Sequence, residues 1–339
     1  SITFPTSRIV FQRDNLGNGT ISITGQYSQN IERIEARVIP MNPGQGEQTD
    51  WRTIQQNPQG GFYSGSLSVR GGWYELQVRG VANGNPIHGA ELQRVGVGEV
   101  FLIAGQSNAQ GFFNYGAPSP GDDRVNCVSY RNATDQNTAF PKPTFVKMSD
   151  NSDVGPRGLS PWCWGKLGDI LTSRLNVPVL FYNAAWEGTA SKNWSETVDG
   201  GTTNSIYIND KYAPGQPYAN LKLALNYYAS LTGIRAVLWH QGEADNLLNT
   251  STGTYVSNLQ TIINKSRQHF GKTVGWVVAR VSYYNNKKNQ DVINGQNQTV
   301  LNTQSVFFVP NTDDIQIPRP DGAHFQNGGL SDAANAWNT

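Results

Sequence analysis

Charge is scarce in this chain of 339 residues. Asp, Glu, Lys and Arg make up only 15% of it, and 26 basic against 25 acidic residues leave a formal net charge of +1. That balance excludes the basic face a nucleic-acid partner demands, and it excludes a charge-driven disordered chain. Long apolar runs are missing too. The run at 177–182 (VPVLFY) is typical of the longest, far below the ~18 residues of a membrane span, so no membrane partner is expected. Cysteine is limited to Cys127 and Cys163. Two thiols cannot make a four-ligand zinc site, and neither lies in a C-x-x-C redox motif. In an oxidising compartment the pair would close a disulfide; the alternative is two buried free thiols. The chain opens at Ser1 without a signal-peptide pattern, so a mature or trimmed form of an exported, periplasmic or cell-surface protein is expected. What the chain has in quantity is Gly (36), Trp (9), Tyr (14) and Phe (13). Many aromatics among few charges suit a rigid, loop-rich surface able to stack on neutral rings.

Length points to two domains, and the texture changes near residue 97. Residues 1–96 read as short strands at 8–13, 20–28, 31–40, 51–56, 65–69, 74–80 and 89–95, with turn clusters such as Asn42-Pro43-Gly44 between them. That spacing predicts a small antiparallel β-sandwich without a constellation for chemistry. Residues 97–339 instead alternate strands with helical patterns. Strands are expected at 100–104, 179–183, 236–240, 274–281 and 306–309, and helices at 161–175, 217–231, 255–270 and 329–337. For the first helix, Ser160 and Pro161 read as N-cap and first helical residue. The alternation predicts an α/β domain, a three-layer flavodoxin-like α/β/α sandwich around five parallel strands, with its site at their carboxyl ends.

Those strand ends carry unusual sequence. The first runs into Gly105-Gln106-Ser107-Asn108, the second into Trp186-Glu187-Gly188-Thr189, and the third into His240-Gln241-Gly242-Glu243; Asp321-Gly322-Ala323-His324 follows the last. Acyl transfer by a serine needs a general base, a group that orients it, and donors for the oxyanion. Of the four histidines, His88 lies in the strand-rich N-terminal region and His269 late on an amphipathic helix, where it reads as solvated. His324 follows Asp321 by three residues in a glycine-containing turn, which lets the carboxylate fold back onto the imidazole. His240 has no carboxylate at that spacing and is expected behind the site or at the substrate. The Ser107 and Gly188 N–H groups and the Gln241 amide are candidate oxyanion donors.

These four ordered blocks resemble the SGNH (GDSL-like) hydrolase superfamily, and within it the sialate O-acetylesterase and acetylxylan-esterase-like carbohydrate esterases. The resemblance runs from about Gly98 to the C-terminus. It implies a serine esterase needing no metal or cofactor, with an acetylated carbohydrate as substrate. By position, Ser107 is the nucleophile, Asp321 and His324 complete the triad, and Gly188 and Gln241 complete the oxyanion hole. The N-terminal domain is similar to accessory domains of such esterases. The second block departs from the usual Gly-Gly-Thr: Glu187 replaces the first glycine and is expected to line the pocket.

Around this set, Glu243 is expected to orient the nucleophile loop and Asn108 to stabilise it, Gln106 to stand behind the site or at the substrate, and Trp186, with Trp194 and Trp239, to offer sugar-stacking walls or core packing. Arg280 ends a strand on the active rim and would bind a carboxylated sugar or serve a structural ion pair. Glu243 and Asp245 are alternative acids for the triad. Two other functions compete: a carbohydrate-binding protein on a catalytically idle scaffold, and a lipase or short-chain esterase. A monomer is the default expectation.

Overall fold

The computed structural model describes residues 1–315 and 319–339. Nine strands come first: β1 (Ile2–Phe4), β2 (Val10–Gln12), β3 (Asn18–Gln26), β4 (Arg33–Pro40), β5 (Arg52–Gln56), β6 (Phe62–Arg70), β7 (Gly72–Ala82), β8 (Asn85–Pro86) and β9 (Ala90–Gly105). One sheet has the order β1-β3-β6. The other pairs β5, β4, β7 and β9 antiparallel in sequence, with β2 parallel to β9. In β3 every second residue is buried, and Ile21 and Ile23 meet Leu67 and Val69 of β6 and Ile34, Ala36 and Val38 of β4 in one core.

The sixteen-residue strand β9 links the two halves of the molecule. Its first part pairs with β7 and β2, and its second part, Glu99–Gly105, pairs with strands of the C-terminal sheet. The sequence boundary at 96/97 therefore falls inside one continuous strand. Glu99 marks the junction, taking Arg13 at 2.8 Å from one half and Arg235 at 2.8 Å from the other. This carboxylate is almost fully buried; burial opposes its charge, yet the two guanidinium groups and Gln12 hold its pKa below the usual range.

Beyond β9 the strands are β10 (Val125–Val128), β11 (Phe145–Lys147), the short hairpin β12 (Asp153–Val154) and β13 (Gly158–Leu159), then β14 (Val179–Asn183), β15 (Ala236–His240), β16 (Gly275–Arg280) and β17 (Val306–Asn311). The C-terminal sheet runs β11-β10-β14-β9-β15-β16-β17. Six of these strands are parallel, and β11 closes one edge antiparallel. The α/β class is as read from the sequence, but the five-strand count falls short. β10 escaped because it is four residues long with Asn126 in the middle.

Helices cover both faces: α1 (Ser107–Gln110), α2 (Trp164–Leu175), α3 (Ser191–Ser195), α4 (Tyr218–Ala224) continued through a π-helical turn at 225–229 into α5 (Ser230–Thr232), α6 (Glu243–Leu247), α7 (Thr252–Phe270), α8 (Gln290–Asn302) and α9 (Gly328–Trp337). The alternation along the strands separates two cores. Leu180, Tyr182, Val237 and Trp239 pack toward α4, α7 and α8, whereas Val179, Phe181, Ala236 and Leu238 pack toward α2 and α9. Helix α2 begins at Trp164, not Pro161, because Ser160 and Trp162 hold left-handed φ values of 67° and 48° that no right-handed helix accommodates.

The anticipated disulfide is absent: Cys127 and Cys163 are buried free thiols. Cys127 Sγ–H donates to the Asp153 carbonyl, while Cys163 caps α2. Burial pushes the Cys127 thiol up to about 12 and raises Cys163 as well, which leaves both inert.

Candidate active site

Strand β9 sits between β14 and β15, where the chain order reverses, and its carboxyl end delivers the serine. Gly105 has φ +136°, and a Cβ there would lie 2.0 Å from the His240 carbonyl oxygen, so only glycine fits. The chain then turns into the single helical turn α1 with Ser107 at its first position. Trp162 Nε1–H donates to the Asn108 carbonyl and Trp164 Nε1–H to the Ala109 carbonyl, both at 2.8 Å. Asn183 Nδ2–H reaches the same Ala109 oxygen at 2.9 Å. Three buried donors thus fix the turn that presents the serine hydroxyl.

The opposite side of the site is a local turn. His324 Nε2 lies 2.9 Å from Ser107 Oγ, and His324 Nδ1 lies 2.6 Å from Asp321 Oδ2. The second Asp321 oxygen accepts the N–H groups of Ala323 at 3.0 Å and His324 at 2.8 Å. Partial burial works against the Asp321 charge, but these bonds outweigh it and hold the pKa below the usual carboxylate range. An ionised Asp321 selects the tautomer with hydrogen on Nδ1, leaving Nε2 to accept from the serine. Neither alternative acid competes. Asp245 is bound to Ser191 N–H and Oγ–H and to Gln241, and Glu243 faces Asn108 and His240.

Asn108 joins the two sides. Its Nδ2–H donates to the Ala323 carbonyl at 2.9 Å and to Glu243 Oε1 at 3.2 Å, and its Oδ1 accepts the Phe325 N–H at 3.1 Å. The Asn108 amide therefore grips the residues on either side of His324. Glu243 is fully buried, and burial pushes its pKa up to about 7. Burial, with Arg319 nearby, pushes its neighbour His240 down to about 3. Their contact at 3.7 Å therefore involves a neutral imidazole and is not an ion pair. His240 Nε2 is bonded to Thr312 Oγ1 at 2.8 Å, which places this histidine behind the site and away from substrate.

A cavity of about 240 Å³ opens over the serine. Gln106, Ser107, Asn108, Gly188, Glu243 and His324 form its base and near wall, and Phe112, Glu187, Tyr207, Tyr284 and Ala323 complete it. Phe112 meets the His324 ring edge to face at 5.1 Å. Phe112, Tyr207 and Tyr284 carry no signal in the sequence, because they come from loops with no periodicity. Gly188 has φ +71°, and the Gly188 N–H donates to no protein acceptor among the described residues. Gln110 Oε1 positions this loop by accepting the Glu187 N–H at 3.0 Å.

Gln241 is the main correction. Its side chain is 0% exposed and its Nε2 is committed to Asp245 Oδ2 at 2.6 Å, with Thr189 O and Gln106 Oε1 at 3.2 Å. It does not line the cavity. Gln106 does. Its Oε1 accepts from the Ala244 N–H at 3.1 Å and the Gly242 N–H at 3.4 Å as well as from Gln241. Two backbone donors fix which atom is oxygen, leaving Nε2–H without a protein acceptor among the described residues.

Five more residues singled out in the sequence lie outside the cavity. Trp186 is buried under the Arg157 guanidinium, 3.5 Å from its ring, and does not line the cavity. Trp194 and Trp239 are core residues packed edge to face at 5.4 Å. Arg280 lies against Phe308 outside the cavity. His269, read as solvated, is bonded to the Tyr218 hydroxyl at 2.7 Å.

The family described as carbohydrate esterase, sialic acid-specific acetylesterase, matches residues 97–335. The chain belongs to this family. The match covers the whole α/β half and all four sequence blocks. No curated protein matches the chain. Among solved structures, a carbohydrate acetylesterase from Xanthomonas citri is similar over 99% of this chain and 73% of its own, at 17% identity and a TM-score of 0.59. A protein from Arabidopsis thaliana is similar over 70% of this chain and 94% of its own, at 17% identity and a TM-score of 0.49. A family two carbohydrate esterase from Cellvibrio japonicus is similar over 96% and 90%, at 10% identity and a TM-score of 0.37. As a member of this family, the chain is a carbohydrate esterase whose serine, histidine and aspartate stand in hydrogen-bonded sequence at the strand ends. No group of described residues could hold a metal ion, and no described helix is long and apolar enough to cross a membrane.

Proposed function

We propose that the protein is a serine esterase that removes O-acetyl groups from a carbohydrate through an acyl-enzyme intermediate. The observation that carries this reading is the chain Ser107 Oγ–His324 Nε2 at 2.9 Å and His324 Nδ1–Asp321 Oδ2 at 2.6 Å. His324 takes the Ser107 proton as Oγ attacks the acetyl carbonyl, and Asp321 stabilises the resulting imidazolium. The developing oxyanion is held by the Ser107 and Gly188 N–H groups and by Gln106 Nε2–H, the side-chain amide that faces the cavity. Each such donor is worth about 10²–10³ in turnover. As the intermediate collapses, His324 protonates the departing sugar oxygen, which leaves as a free hydroxyl. Water, deprotonated by the same imidazole, attacks the acetyl-serine, and acetate departs as Ser107 regains its proton.

The cavity supports a short acyl group. At about 240 Å³ it lies below the roughly 300–1,000 Å³ of sites that enclose drug-sized ligands, too small for a long acyl chain beside a sugar. The test is Ser107→Ala, assayed on 4-nitrophenyl acetate, together with fluorophosphonate labelling of the wild type. Loss of at least 10⁴-fold in kcat, about what removal of a triad member costs, and a single label on Ser107 are expected. Full activity in the variant, or no label in the wild type, overturns the mechanism; the second result would leave a carbohydrate-binding protein.

A further inference from the structure

The carboxyl groups that line the cavity face no lining cation among the described residues. Its charged or acidic lining residues are Glu187 and Glu243, beside His324, and no Lys or Arg lines it among the described residues. The cations placed around it are already spoken for. Arg157 donates to Asp135 Oδ1 at 3.0 Å and to Glu187 Oε1 at 3.2 Å, with its face against Trp186. Arg319 is buried and donates to the carbonyls of Ile315, Thr312 and Ala323. Asp135, Arg157 and Glu187 together carry one net negative charge; both carboxylates are partly exposed, and Glu187 is the one that lines the cavity.

A sugar carboxylate is ionised at neutral pH, and proteins capture one with Arg in a two-point clamp or with a cluster of donors. This wall offers it a carboxylate instead. We propose that the site selects O-acetyl esters of uncharged sugars, that it discriminates against carboxylate-bearing sugars such as sialic and uronic acids, and that Glu187 sets the discrimination. The proposal rests on the esterase reading above, and it separates this chain from the sialic acid specificity in its family's description. Two like charges roughly 6 Å apart in a medium of effective dielectric about 40 repel enough for a factor of about ten in kcat/KM. The acyl half of the substrate is the same for every acetate ester, so the discrimination acts on the alcohol half, where Glu187 stands with Tyr207 and Tyr284.

The experiment compares O-acetylated sialic acid with its methyl ester, which removes the charge and keeps the shape, with 4-nitrophenyl acetate as control. The wild type is expected to turn over the methyl ester with about tenfold higher kcat/KM than the free acid, and added salt should narrow the gap. Equal or better turnover of the free acid overturns the proposal. In Glu187→Gln the ratio of methyl ester to free acid should fall toward one; an unchanged ratio overturns the assignment to Glu187. The wild-type ratio stands without the variant. Failure of the wild type on 4-nitrophenyl acetate would instead strike the esterase reading, so the two failures are distinguishable.

Discussion

The two sides of the candidate site are built in opposite ways. The serine side is a buried strand end: Ser107 and Asn108 are nearly inaccessible, and the turn is held by Trp162, Trp164 and Asn183 from other elements. The histidine side is an exposed turn whose Asp321 and His324 side chains keep 42% and 26% of their exposure. Its geometry comes mainly from within, through one carboxylate that accepts two backbone N–H groups and the imidazole. Oxyanion donors must be rigid, since their value lies in pointing correctly before charge develops. A general base must instead exchange protons with a leaving group and with water, which requires access.

Replacing the proposed base, His324, tests this contrast most severely. His324→Ala is expected to lose about 10⁴-fold or more in kcat on an acetate ester. Because the side chain sits in a partly exposed turn, its thermal midpoint should stay within about 2 °C of wild type, matching a ±0.5 kcal/mol surface change. Calorimetry beside the assay checks both. A cooperative loss of fold in His324→Ala would show that the turn is structural as well.

The next effect lies at the joint between the sides. Asn108→Ala removes the bonds to the Ala323 carbonyl and the Phe325 N–H that flank the base. Displacement of a catalytic group by about 1 Å costs on the order of 10²-fold, so a 10–100-fold loss in kcat is expected. The buried Phe325 N–H left unpaired should also lower stability by about 1–3 kcal/mol, whereas the Ala323 carbonyl keeps its bond from Arg319. Activity unchanged in Asn108→Ala would mean that the turn needs nothing from the serine side.

The same contrast explains what was legible in the sequence. The turn could be read because its chemistry is local: Asp321 and His324 are three residues apart, and no distant element is needed to see them bond. The strands that end at the site could be read because each is a short apolar run buried on both faces. The amide roles could not. Gln241 and Gln106 stand in adjoining strand ends, and which one faces the cavity depends on where the Gly242 and Ala244 N–H groups point. The sequence left the three tryptophans open between wall and core for a related reason, since a ring that fills a core and a ring that lines a pocket have the same sequence signature. The cavity wall contributed by Phe112, Tyr207 and Tyr284 arises from loops whose juxtaposition is tertiary. Strand β10 was lost to shortness, and with it the count of parallel strands.

The smallest effect expected is on stability, at the buried acid beneath the joint. Glu243 faces His240, Asn108, Arg319 and Asp313, and burial raises its pKa from 4.5 to about 7. The sign follows from proton counting. Between these two values the folded chain keeps the Glu243 proton while the unfolded chain has released it, so stability falls as pH rises through this window and levels off above it. Glu243→Gln keeps an oxygen that can accept from Asn108 and cannot ionise. It should flatten the decline in thermal midpoint between pH 5 and 7.5 by a few degrees, about 2–4 °C for each kcal/mol removed in a chain of somewhat smaller size. The exposed Asp321 offers the matched control with the opposite sign. Its pKa lies below the unfolded value, so the stability it contributes is present above about pH 4 and is lost only as pH falls through the folded value. A midpoint in Glu243→Gln that declines from pH 5 to 7.5 as steeply as wild type would place the titration elsewhere than at this buried acid.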